Sequence, residues 1–416
     1  MPTYLAPGVY VEEIDGGSKP LEAAGTAVAA FVGFTSSFPK DDLVNDPHGE
    51  KPHYVSNWSQ FEASYGGFAQ GLMLPYAVYG WFNNGGGGAY ISRVPHTDDT
   101  EAQTPVAVGA DNFIGSESTR KGINGLVVAD EVTMVVIPDL VTATRKEDGS
   151  VDLETFQGVQ AAAISHCEKM GDRMAVLDSP PAMGPTTVQE WRSETAKYDS
   201  QFAAFYYPWI KISNPFARPD NDQPKVITVP PAGHVAGIWA RNDATRGVWK
   251  APANEVVRGA LDVDLKMTTQ EQELLNPIGV NCIRPFGTRG IRIWGSRTLS
   301  SNPSWRYVPV RRMFNFVEKT ILNGTGWVVF EPNDQALWQR VKRTINAFLL
   351  CLYRQGALAG TVPGEAFYVK CDAETNPPAS VDEGKLVVEI GMAPLKPAEF
   401  VIFRISQWQG GAAAAE

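Results

Sequence analysis

The two ends of the chain carry strand patterns with no adjacent segment to pair with. Near the start, a β-branched and aromatic run follows Gly8, and it comprises Val9, Tyr10, Val11, Glu12, Glu13 and Ile14. Near the end, residues 399–408 carry apolar side chains on both faces, which is typical of a strand buried on both sides. Because an isolated terminal strand is unstable and an unpaired edge is a template for another chain, we predict pairing between subunits. Pairing of the two ends with each other inside one sheet is an equally open alternative.

The middle of the chain alternates strand and helix patterns. A buried-type strand at residues 131–137 is followed by a helix at 153–170 and a second strand at 173–177. This order predicts a βαβ unit with parallel strands and a right-handed crossover. Further strand patterns occur at residues 26–34, 89–94 and 202–210, and helical patterns at 57–65, 74–83, 187–197 and 233–241. We therefore predict an α/β domain over residues 23–274, preceded by an N-terminal arm over residues 1–22.

Beyond residue 275 the pattern changes to runs of strands and runs of helices. Antiparallel strands are predicted at residues 279–283 and 290–294, and a helix at 307–322. Asn333 is the predicted N-cap of a long helix through residue 354, whose core-facing residues are Leu337, Val341, Ile345 and Leu349. Strands at residues 367–371, 385–391 and 399–408 complete a predicted α+β domain over residues 275–416.

The composition is that of an ordinary globular protein. The chain has 416 residues, of which 44% are hydrophobic and 20% charged, enough for two or three domains with sizeable cores. Its net charge of −10 argues against a general nucleic-acid binder, which needs a strongly basic face. The start lacks the pattern of a signal peptide, and the most apolar early segment, residues 25–34, is about half a membrane span. We therefore expect neither a signal peptide nor a transmembrane helix.

The charge is unevenly distributed along the chain. Residues 1–50 carry eight acidic residues and two lysines, whereas residues 281–320 carry eight basic residues and one glutamate. Two such segments predict electrostatic complementarity between subunits, which sets orientation and register. Two solvated faces, or a basic surface for an acidic partner protein, are the alternatives. The interleaved Trp294, Trp305 and Tyr307 also permit a nucleic-acid interpretation.

Candidate catalytic residues are few. Asp139 and Asp178 follow two predicted parallel strands, at the edge where α/β enzymes place their ligands. Each also stands close to a proline, in a turn sequence where aspartate is common. The glycines at 85–88 lack the Lys-Ser/Thr ending of a phosphate loop. An α/β hydrolase or transferase with a second domain is therefore an alternative that no motif supports.

No metal or redox centre is predicted. The four cysteines have no CxxC spacing and suit small buried thiols in a reducing compartment; they are Cys167, Cys282, Cys351 and Cys371. The five histidines show neither an HExxH motif nor any paired ligand spacing. We expect no cofactor and no metal.

Six sequence blocks stand out along the chain. They are PGVYVEEI (7–14), AVAAFVGF (27–34), YGWFNNGGGGAYISRV (79–94), GIWARNDATRGVWKAPAN (237–254), IWGSRTL (293–299) and EIGMAPLKPAEFVIFRI (389–405). In this order they resemble the sheath protein of contractile phage tails and of phage-tail-like contractile injection systems. The ordered set spans nearly the whole chain and is far more specific than any single block. Residues 95–130 match least, and the chain is compact for that family.

The resemblance implies a structural subunit and not an enzyme. Subunits of the family stack as hexameric rings around an inner tube, with an outer α/β domain, an inner α+β domain and terminal strands exchanged between neighbours. The exchanged residues would be 9–14 and, at the other end, Val401, Ile402, Phe403, Arg404 and Ile405. The implied mechanism is contraction from a metastable extended state, without nucleotide hydrolysis, which drives the tube into a target.

Hinges and partners follow from the implied mechanism. The predicted hinge or linker residues are Gly16, Gly17, Pro20, Lys396 and Pro397. The predicted contacts with an acidic inner tube are Arg340, Lys342 and Arg343, with Arg311 and Arg312 second. The implied partners are the chain itself in six-fold rings, the tube protein, and baseplate and terminal cap proteins, with no direct nucleic-acid contact and no membrane insertion. Assembly in the bacterial cytoplasm is implied, as part of a phage tail or of a tail-like particle that is either released or membrane-anchored.

Overall fold

A computed structural model describes residues 21–40, 44–95, 109–146 and 148–404, and this part of the chain forms thirteen strands and thirteen α-helices. The strands are β1 Ala29–Gly33, β2 His53–Val55, β3 Ala89–Arg93, β4 Met134–Val136, β5 Met174–Asp178, β6 Ala203–Tyr207, β7 Ile210–Ser213, β8 Val226–Val229, β9 Ala260–Val263, β10 Val280–Pro285, β11 Ile291–Ile293, β12 Phe367–Lys370 and β13 Glu389–Met392. The helices are α1 Trp58–Tyr65, α2 Leu74–Asn84, α3 Ala110–Ile114, α4 Gly122–Gly125, α5 Leu140–Ala143, α6 Leu153–Met170, α7 Pro185–Glu190, α8 Ala232–Arg246, α9 Thr269–Leu275, α10 Val308–Gly324, α11 Gln335–Arg354, α12 Pro363–Ala366 and α13 Pro378–Asp382.

An eight-stranded mixed sheet, the large sheet, runs through the centre of the fold in the order β11-β10-β6-β5-β4-β1-β3-β2. Its six inner strands pair parallel to one another, and the edge strands β11 and β2 are antiparallel to their neighbours. The predicted βαβ unit is present as β4, α6 and β5, with β4 and β5 paired in parallel. The prediction of a mixed α/β fold built on a parallel sheet is confirmed.

The large sheet separates two apolar cores because successive side chains of a strand point to opposite faces. Phe31 and Val136 lie in the core that α2 and α8 cover. Val32 and Val135 lie in the core on the other face, which α6 covers. Strands covered on both faces are apolar at every position, so the inner strands consist almost wholly of buried residues.

A third core lies among α10, α11 and the small sheet formed by β12 and β13. The four predicted core-facing residues of α11 are all buried there: Leu337, Val341, Ile345 and Leu349. The N-cap of α11 differs from the prediction, because the Asp334 side chain accepts the Leu337 N–H at 2.7 Å. Asn333 instead accepts the Trp338 indole N–H at 2.8 Å. The amphipathic pattern therefore identified this helix correctly, and only its starting residue was wrong.

Several element boundaries also differ from those predicted. The strand predicted at residues 202–210 is two strands, β6 and β7. β6 belongs to the large sheet, whereas β7 forms a separate three-stranded sheet with β8 and β9. The helix predicted at 187–197 is α7 followed by a π-helical turn. β10 and β11 form the predicted antiparallel pair, but β10 also pairs with β6. The large sheet thus contains strands from both sides of residue 275, while the predicted domain boundaries stay predictions.

Two helices cross at very short distance on one face of the large sheet. A Cβ atom added at Gly233 would lie 2.5 Å from the Ala77 Cα, and one added at Gly237 would lie 2.5 Å from the Trp81 carbonyl oxygen. The two glycines are four positions apart, so both lie on the side of α8 that faces α2. The backbones of α2 and α8 therefore touch, and any larger residue at the crossing would force them apart.

We expect Gly237→Ala to destabilise the protein by about 1–3 kcal/mol, the usual effect of overpacking a tight contact. The matched control is Gly158→Ala on α6, where an added Cβ meets nothing within 4 Å. There the lower conformational entropy of the unfolded chain and the better helix propensity of alanine should stabilise by about 0.5–1 kcal/mol. Urea unfolding followed by circular dichroism measures both changes, and effects of the same sign would contradict the close crossing.

Candidate subunit-linking surface

The small sheet formed by β12 and β13 has open edges. The two strands pair antiparallel from Phe367↔Met392 to Lys370↔Glu389, and neither has a second neighbour within the described ranges. Val369 packs into the third core, while Tyr368 on the opposite face is half exposed. A two-stranded ribbon leaves N–H and C=O groups unpaired along both edges, and such edges accept an added strand.

The chain leaves β13 as an extended apolar segment. Its last contact with the small-sheet region is a β-bridge between Pro394 and Leu358. Farther along, four consecutive apolar residues are 71%, 68%, 79% and 84% exposed, namely Phe400, Val401, Ile402 and Phe403. Contiguous exposed apolar surface of this kind is typical of a site that contacts another chain.

The strand predicted over residues 399–408 is not formed in its described part, residues 399–404. The physical reason is the lack of a partner, because a strand is defined by hydrogen bonds to a neighbour and no described segment lies alongside. Ile405 lies outside the described residues, as do residues 9–14 and the predicted linker residues Gly16, Gly17 and Pro20. Exchange of the two terminal strands stays a prediction.

One carboxylate fixes the extended segment to the rest of the protein. Arg297 donates two hydrogen bonds to Glu399, from Nε to Oε1 at 2.9 Å and from Nη2 to Oε2 at 2.7 Å. Asn276 Nδ2 donates to Oε1 at 2.8 Å, and the Tyr307 hydroxyl donates to Oε2 at 3.0 Å. We call these four residues the Glu399 clamp. Each carboxylate oxygen receives two donors, so the charge is fully solvated by the protein.

The clamp favours the ionised form of Glu399. Burial acts to raise the pKa of Glu399, but the hydrogen bonds from Arg297, Asn276 and Tyr307 outweigh it and the pKa is lowered. A carboxyl group with a lowered pKa contributes stability above its unfolded-state pKa and loses it as the pH falls through the folded-state value. The clamp therefore contributes its full stability at neutral pH, and this contribution is lost in acid.

The predicted hinge residues Lys396 and Pro397 lie between two fixed points. On one side Pro394 is bridged to Leu358, and on the other Glu399 is clamped. Residues 395–398 have no regular secondary structure. A hinge role for them stays a prediction, and Phe400 is the first residue beyond the clamp.

The basic residues predicted to contact a tube lie on one helix, α11. Arg343 is exposed and its Nε donates only to the Gln339 carbonyl, at 3.3 Å. Arg340 and Lys342 are half-buried. Arg340 pairs with Glu331 at 2.9 Å, so part of its charge is neutralised on the same surface. The contact with a tube stays a prediction for these three residues.

The second pair predicted to contact a tube, Arg311 and Arg312, is corrected by the structure. Arg312 pairs with Asp243, and both side chains are only 4% exposed. Arg311 is also buried and pairs with Glu318 at 3.1 Å. A buried guanidinium cannot reach a partner, so these two arginines hold α10 within the protein.

The basic segment over residues 281–320 is not one exposed surface either. Besides Arg311 and Arg312, Arg297 and Lys319 form internal ion pairs, with Glu399 and Asp172. Trp305 lies under the Arg311 guanidinium at 4.5 Å, and Tyr307 belongs to the clamp. Internal pairs therefore take up much of the charge and aromatic surface that permitted an interface with an acidic partner or with nucleic acid.

Asp139, the first candidate catalytic residue, is a structural group. Its Oδ2 accepts the N–H of Phe34 at 2.8 Å and the N–H of Leu74 at 3.0 Å, and its Oδ1 accepts the N–H of Met73. Leu74 is the first residue of α2, so an aspartate at the end of β4 caps a remote helix. Burial raises the pKa of Asp139 to about 7, against the effect of these N–H groups.

Asp178, the second candidate, repeats this arrangement at the end of β5. Its Oδ1 accepts the N–H of Ala232, the first residue of α8, at 2.7 Å. Burial raises the pKa of Asp178 to about 8, and the Ala232 N–H acts in the opposite direction. The two aspartates thus cap the two helices that cross at Gly233 and Gly237. Both Asp139 oxygens and the Oδ1 of Asp178 accept backbone N–H groups, which removes the basis for a catalytic pair.

The remaining expectations from the sequence concern the cysteines, metal binding and membrane-spanning helices. Three cysteines are buried as expected, but Cys351 is exposed, which corrects that expectation. The described residues contain no group of three or more His, Cys, Asp or Glu side chains that could hold a metal ion. Among the helices of the described part, none is long and apolar enough to cross a membrane.

The clamp is the feature that sequence reasoning missed. Its donors Asn276, Arg297 and Tyr307 lie 123, 102 and 92 residues before Glu399, so no local pattern connects them. The only signal in the sequence is an acidic residue directly before an apolar run. A carboxylate that becomes buried needs a cationic partner. The sequence alone does not indicate which of the eight basic residues in the 281–320 segment is that partner.

Two family models match this chain in succession. The phage tail sheath protein central domain matches residues 132–299, and the phage tail sheath C-terminal domain matches residues 300–407. One chain of the cryo-EM structure of the anti-feeding prophage baseplate is 30% identical, with a TM-score of 0.72, and the match covers 98% of this chain and 100% of that chain. The chain belongs to the tail sheath protein family. The sheath of the extracellular contractile injection system PVC, in its contracted state, is 28% identical to this sheath protein with a TM-score of 0.72, covering 98% and 99% of the two chains.

Curated phage and prophage proteins are also similar to this sheath protein. The tail sheath protein of Escherichia phage P2 is 22% identical over 406 residues, which cover 95% of this chain and 94% of the relative. The putative prophage major tail sheath protein of Pseudomonas aeruginosa strain UCBPP-PA14 is 29% identical over 261 residues, or 61% of this chain and 63% of the relative. For the tail sheath protein of Vibrio phage KVP40, 24% identical over 347 residues and 77% of this chain, the match spans about half of the relative, 49%. These relatives are structural proteins, so the prediction that this sheath protein is not an enzyme is confirmed.

We expect Asp178→Asn to flatten the pH dependence of stability between about pH 4 and pH 8. Burial raises the pKa of Asp178 from 3.8 to about 8, so the folded protein binds this proton more tightly than the unfolded chain does. The wild-type protein therefore loses stability as the pH rises through this window. Asparagine keeps an oxygen for the Ala232 N–H and carries no charge.

Urea midpoints at pH 4, 6 and 8 measure this effect. The control is Asp220→Asn, which changes an exposed aspartate and should leave the pH profile of the wild type unchanged. A constant difference between Asp178→Asn and the wild type at all three pH values would contradict a buried, proton-binding carboxyl group.

Proposed function

We propose that this sheath protein polymerises as stacked hexameric rings around an inner tube, and that it contracts from an extended, metastable state to drive the tube into a target. The observation that carries this proposal is the apolar segment, residues 400–403, which is unpaired in the described part of the chain, together with a small sheet that has two open edges. A similar chain belongs to a baseplate structure with six-fold symmetry, and others belong to contracted sheaths. Both facts support rings and a second, shorter state.

Strand addition is the proposed linkage between subunits. The segment beginning at Phe400 would pair with an edge of the small sheet in a neighbour, and residues 9–14 of another subunit would pair with the other edge. Each backbone hydrogen bond contributes a net of about 0.5–1.5 kcal/mol, and burial of each large apolar side chain about 1.5–3 kcal/mol. Four such side chains and a few hydrogen bonds therefore link subunits strongly enough to survive while other surfaces slide.

The tube contact is proposed to lie on the part of α11 that is not packed in the core, at Arg340, Lys342 and Arg343. The loop before this helix adds Phe330, which is fully exposed and has a left-handed backbone with φ of 68°. An aromatic side chain held outward in a strained conformation suits insertion into a partner surface. Baseplate and terminal cap proteins are further proposed partners. Assembly is proposed to occur in the bacterial cytoplasm. Gly16, Gly17 and Pro20 are proposed to form the N-terminal linker.

Ile402→Pro is expected to abolish polymer formation while leaving the fold of the subunit intact. Proline removes the N–H that an added strand must donate, whereas within the described part of the chain residues 400–404 form no backbone hydrogen bond that could be lost. The matched control is Ile402→Val, which keeps a β-branched apolar side chain. Each variant is expressed alone, sedimented and viewed by negative-stain electron microscopy, where the wild type and the control should form striated hollow cylinders.

A cylinder-forming Ile402→Pro variant would show that subunits are linked by another surface. Uniform small particles from the wild-type chain, both alone and with its tube protein, would contradict the proposed function itself.

Charge reversal at Arg340, Lys342 and Arg343, each to Glu, is expected to abolish co-assembly with the tube protein but not the formation of cylinders by the sheath alone. Like charges placed against an acidic surface repel, and like-charge juxtaposition costs several kcal/mol. Arg354→Glu is the control, because Arg354 is exposed on the same helix, about three turns beyond Arg343. Co-sedimentation with the tube protein measures the effect, and unchanged binding of the triple variant would place the tube contact elsewhere.

A further inference from the structure

The Glu399 clamp connects the extended C-terminal segment to the large sheet. The Arg297 N–H donates to Asn281 Oδ1 at 2.7 Å, and Asn281 Nδ2 donates to the Arg297 carbonyl at 2.8 Å. Asn281 is a buried residue of β10, so Arg297 is fixed to the large sheet from both sides. The chain therefore leaves the small sheet after β13, continues through residues 393–398 and is held at Glu399 to the part of the subunit that contains the large sheet.

The clamp is a built attachment and not an incidental surface ion pair. The side chains of Arg297 and Glu399 are 10% and 19% exposed, whereas those of the surface pair Lys385 and Glu383 are 66% and 60% exposed. Exposed pairs contribute little because water and salt screen them, while a bidentate arginine–carboxylate pair with two more donors holds one geometry.

The clamp is also the attachment on which the described end of the chain depends. Between Pro394 and residue 404, the hydrogen bonds to other described residues all go to the Glu399 carboxylate. The residues before it, 395–398, have no regular structure, and the apolar residues after it are exposed. Apart from the backbone that leads back to β13, the Glu399 side chain is therefore the point at which the described segment is held to the subunit.

We propose that Glu399 is the fixed pivot of the exchanged C-terminal strand. This inference rests on the proposed strand exchange and adds the residue that anchors the strand to its own subunit. With the clamp closed, movement of the neighbour that holds the strand acts on the large sheet without slack. The clamp thus converts a flexible tail into a link that passes motion from one subunit to the next.

The clamp controls a length of chain that is large compared with the spacing between neighbouring strands. Without the clamp the nearest fixed point is Pro394, so five residues, 395–399, join the free linker. At about 3.3–3.6 Å per residue they add up to about 17 Å of slack. Neighbouring strands lie about 4.8 Å apart, so a displacement of several strand widths would be absorbed before any force reached the subunit.

The test reverses the charge of the pivot and then of its partner. Sheaths are assembled with the cognate tube and baseplate proteins from wild-type chain, Glu399→Arg, and the double variant Arg297→Glu with Glu399→Arg. The fraction of contracted particles after a chemical trigger is counted by electron microscopy. Glu399→Arg should assemble extended sheaths but reduce full contraction by about tenfold, because like charges at positions 297 and 399 repel, open the clamp and leave the link slack.

The double variant should restore contraction, because the reversed pair can form again and because both Asn276 and Tyr307 can accept as well as donate hydrogen bonds. Glu383→Arg, the same charge change at an exposed pair, should contract like the wild type. If Glu399→Arg does not fold by circular dichroism, Glu399→Gln, which keeps the shape and loses the charge, replaces it and should show the same loss.

Normal or faster contraction of the folded Glu399 variants would overturn the pivot, while the proposed sheath function would stand. Failure of the double variant to recover, with Glu383→Arg normal, would also overturn it. A wild-type chain that forms no cylinders would instead refute the proposed function, so the two failures are distinguishable.

Discussion

The backbone of an extended strand must find hydrogen-bonding partners, and this requirement organises the whole subunit. In the large sheet it is met within one chain for the six inner parallel strands, which the short antiparallel strands β11 and β2 flank on both sides. In the small sheet pairing stops after two strands, and the apolar segment beyond Glu399 has no described partner. The same interaction that completes the interior of the subunit therefore remains incomplete at its end.

The central body and the C-terminal segment differ in how many long-range contacts hold them. The central body is tied together by long-range side-chain contacts, such as the caps from Asp139 and Asp178 and the ion pair between Arg312 and Asp243. Between Pro394 and residue 404, the last described residue, the one such contact is at Glu399. A body that does not deform and a terminus with a single attachment suit a subunit that moves as a unit while it stays connected.

The parts that the sequence predicted well are those governed by local periodicity. The α6 helix has the predicted bounds, and the core-facing positions of α11 are all buried, because a run of 18 or 20 residues displays its pattern clearly. The resemblance carried by six ordered blocks identified the family. Short edge strands such as β2 and β9 were missed because three or four residues contain too little pattern.

What the sequence could not show depends on residues far apart along the chain. Arg311 and Arg312 have the composition of a basic surface, and only the tertiary structure shows that one pairs with Glu318 and the other with Asp243. The aspartates at 139 and 178 illustrate the same limit, because a carboxylate at a strand end serves equally well for catalysis or for capping a helix from another part of the chain. Neither choice is decided by neighbours in the sequence.

The internal ion pairs have a consequence for how subunits meet one another. Each pair neutralises one acidic and one basic side chain, so the net charge of −10 falls on the residues that remain outside these pairs. Identical subunits of that charge repel at distances up to about 8–10 Å in physiological salt. Of the four residues from Phe400 to Phe403 none is charged, so this segment meets less electrostatic repulsion from a neighbour than the bodies do. A contact between two copies would thus combine an uncharged segment with charged bodies, and only the spacing of the bodies would depend on ionic strength.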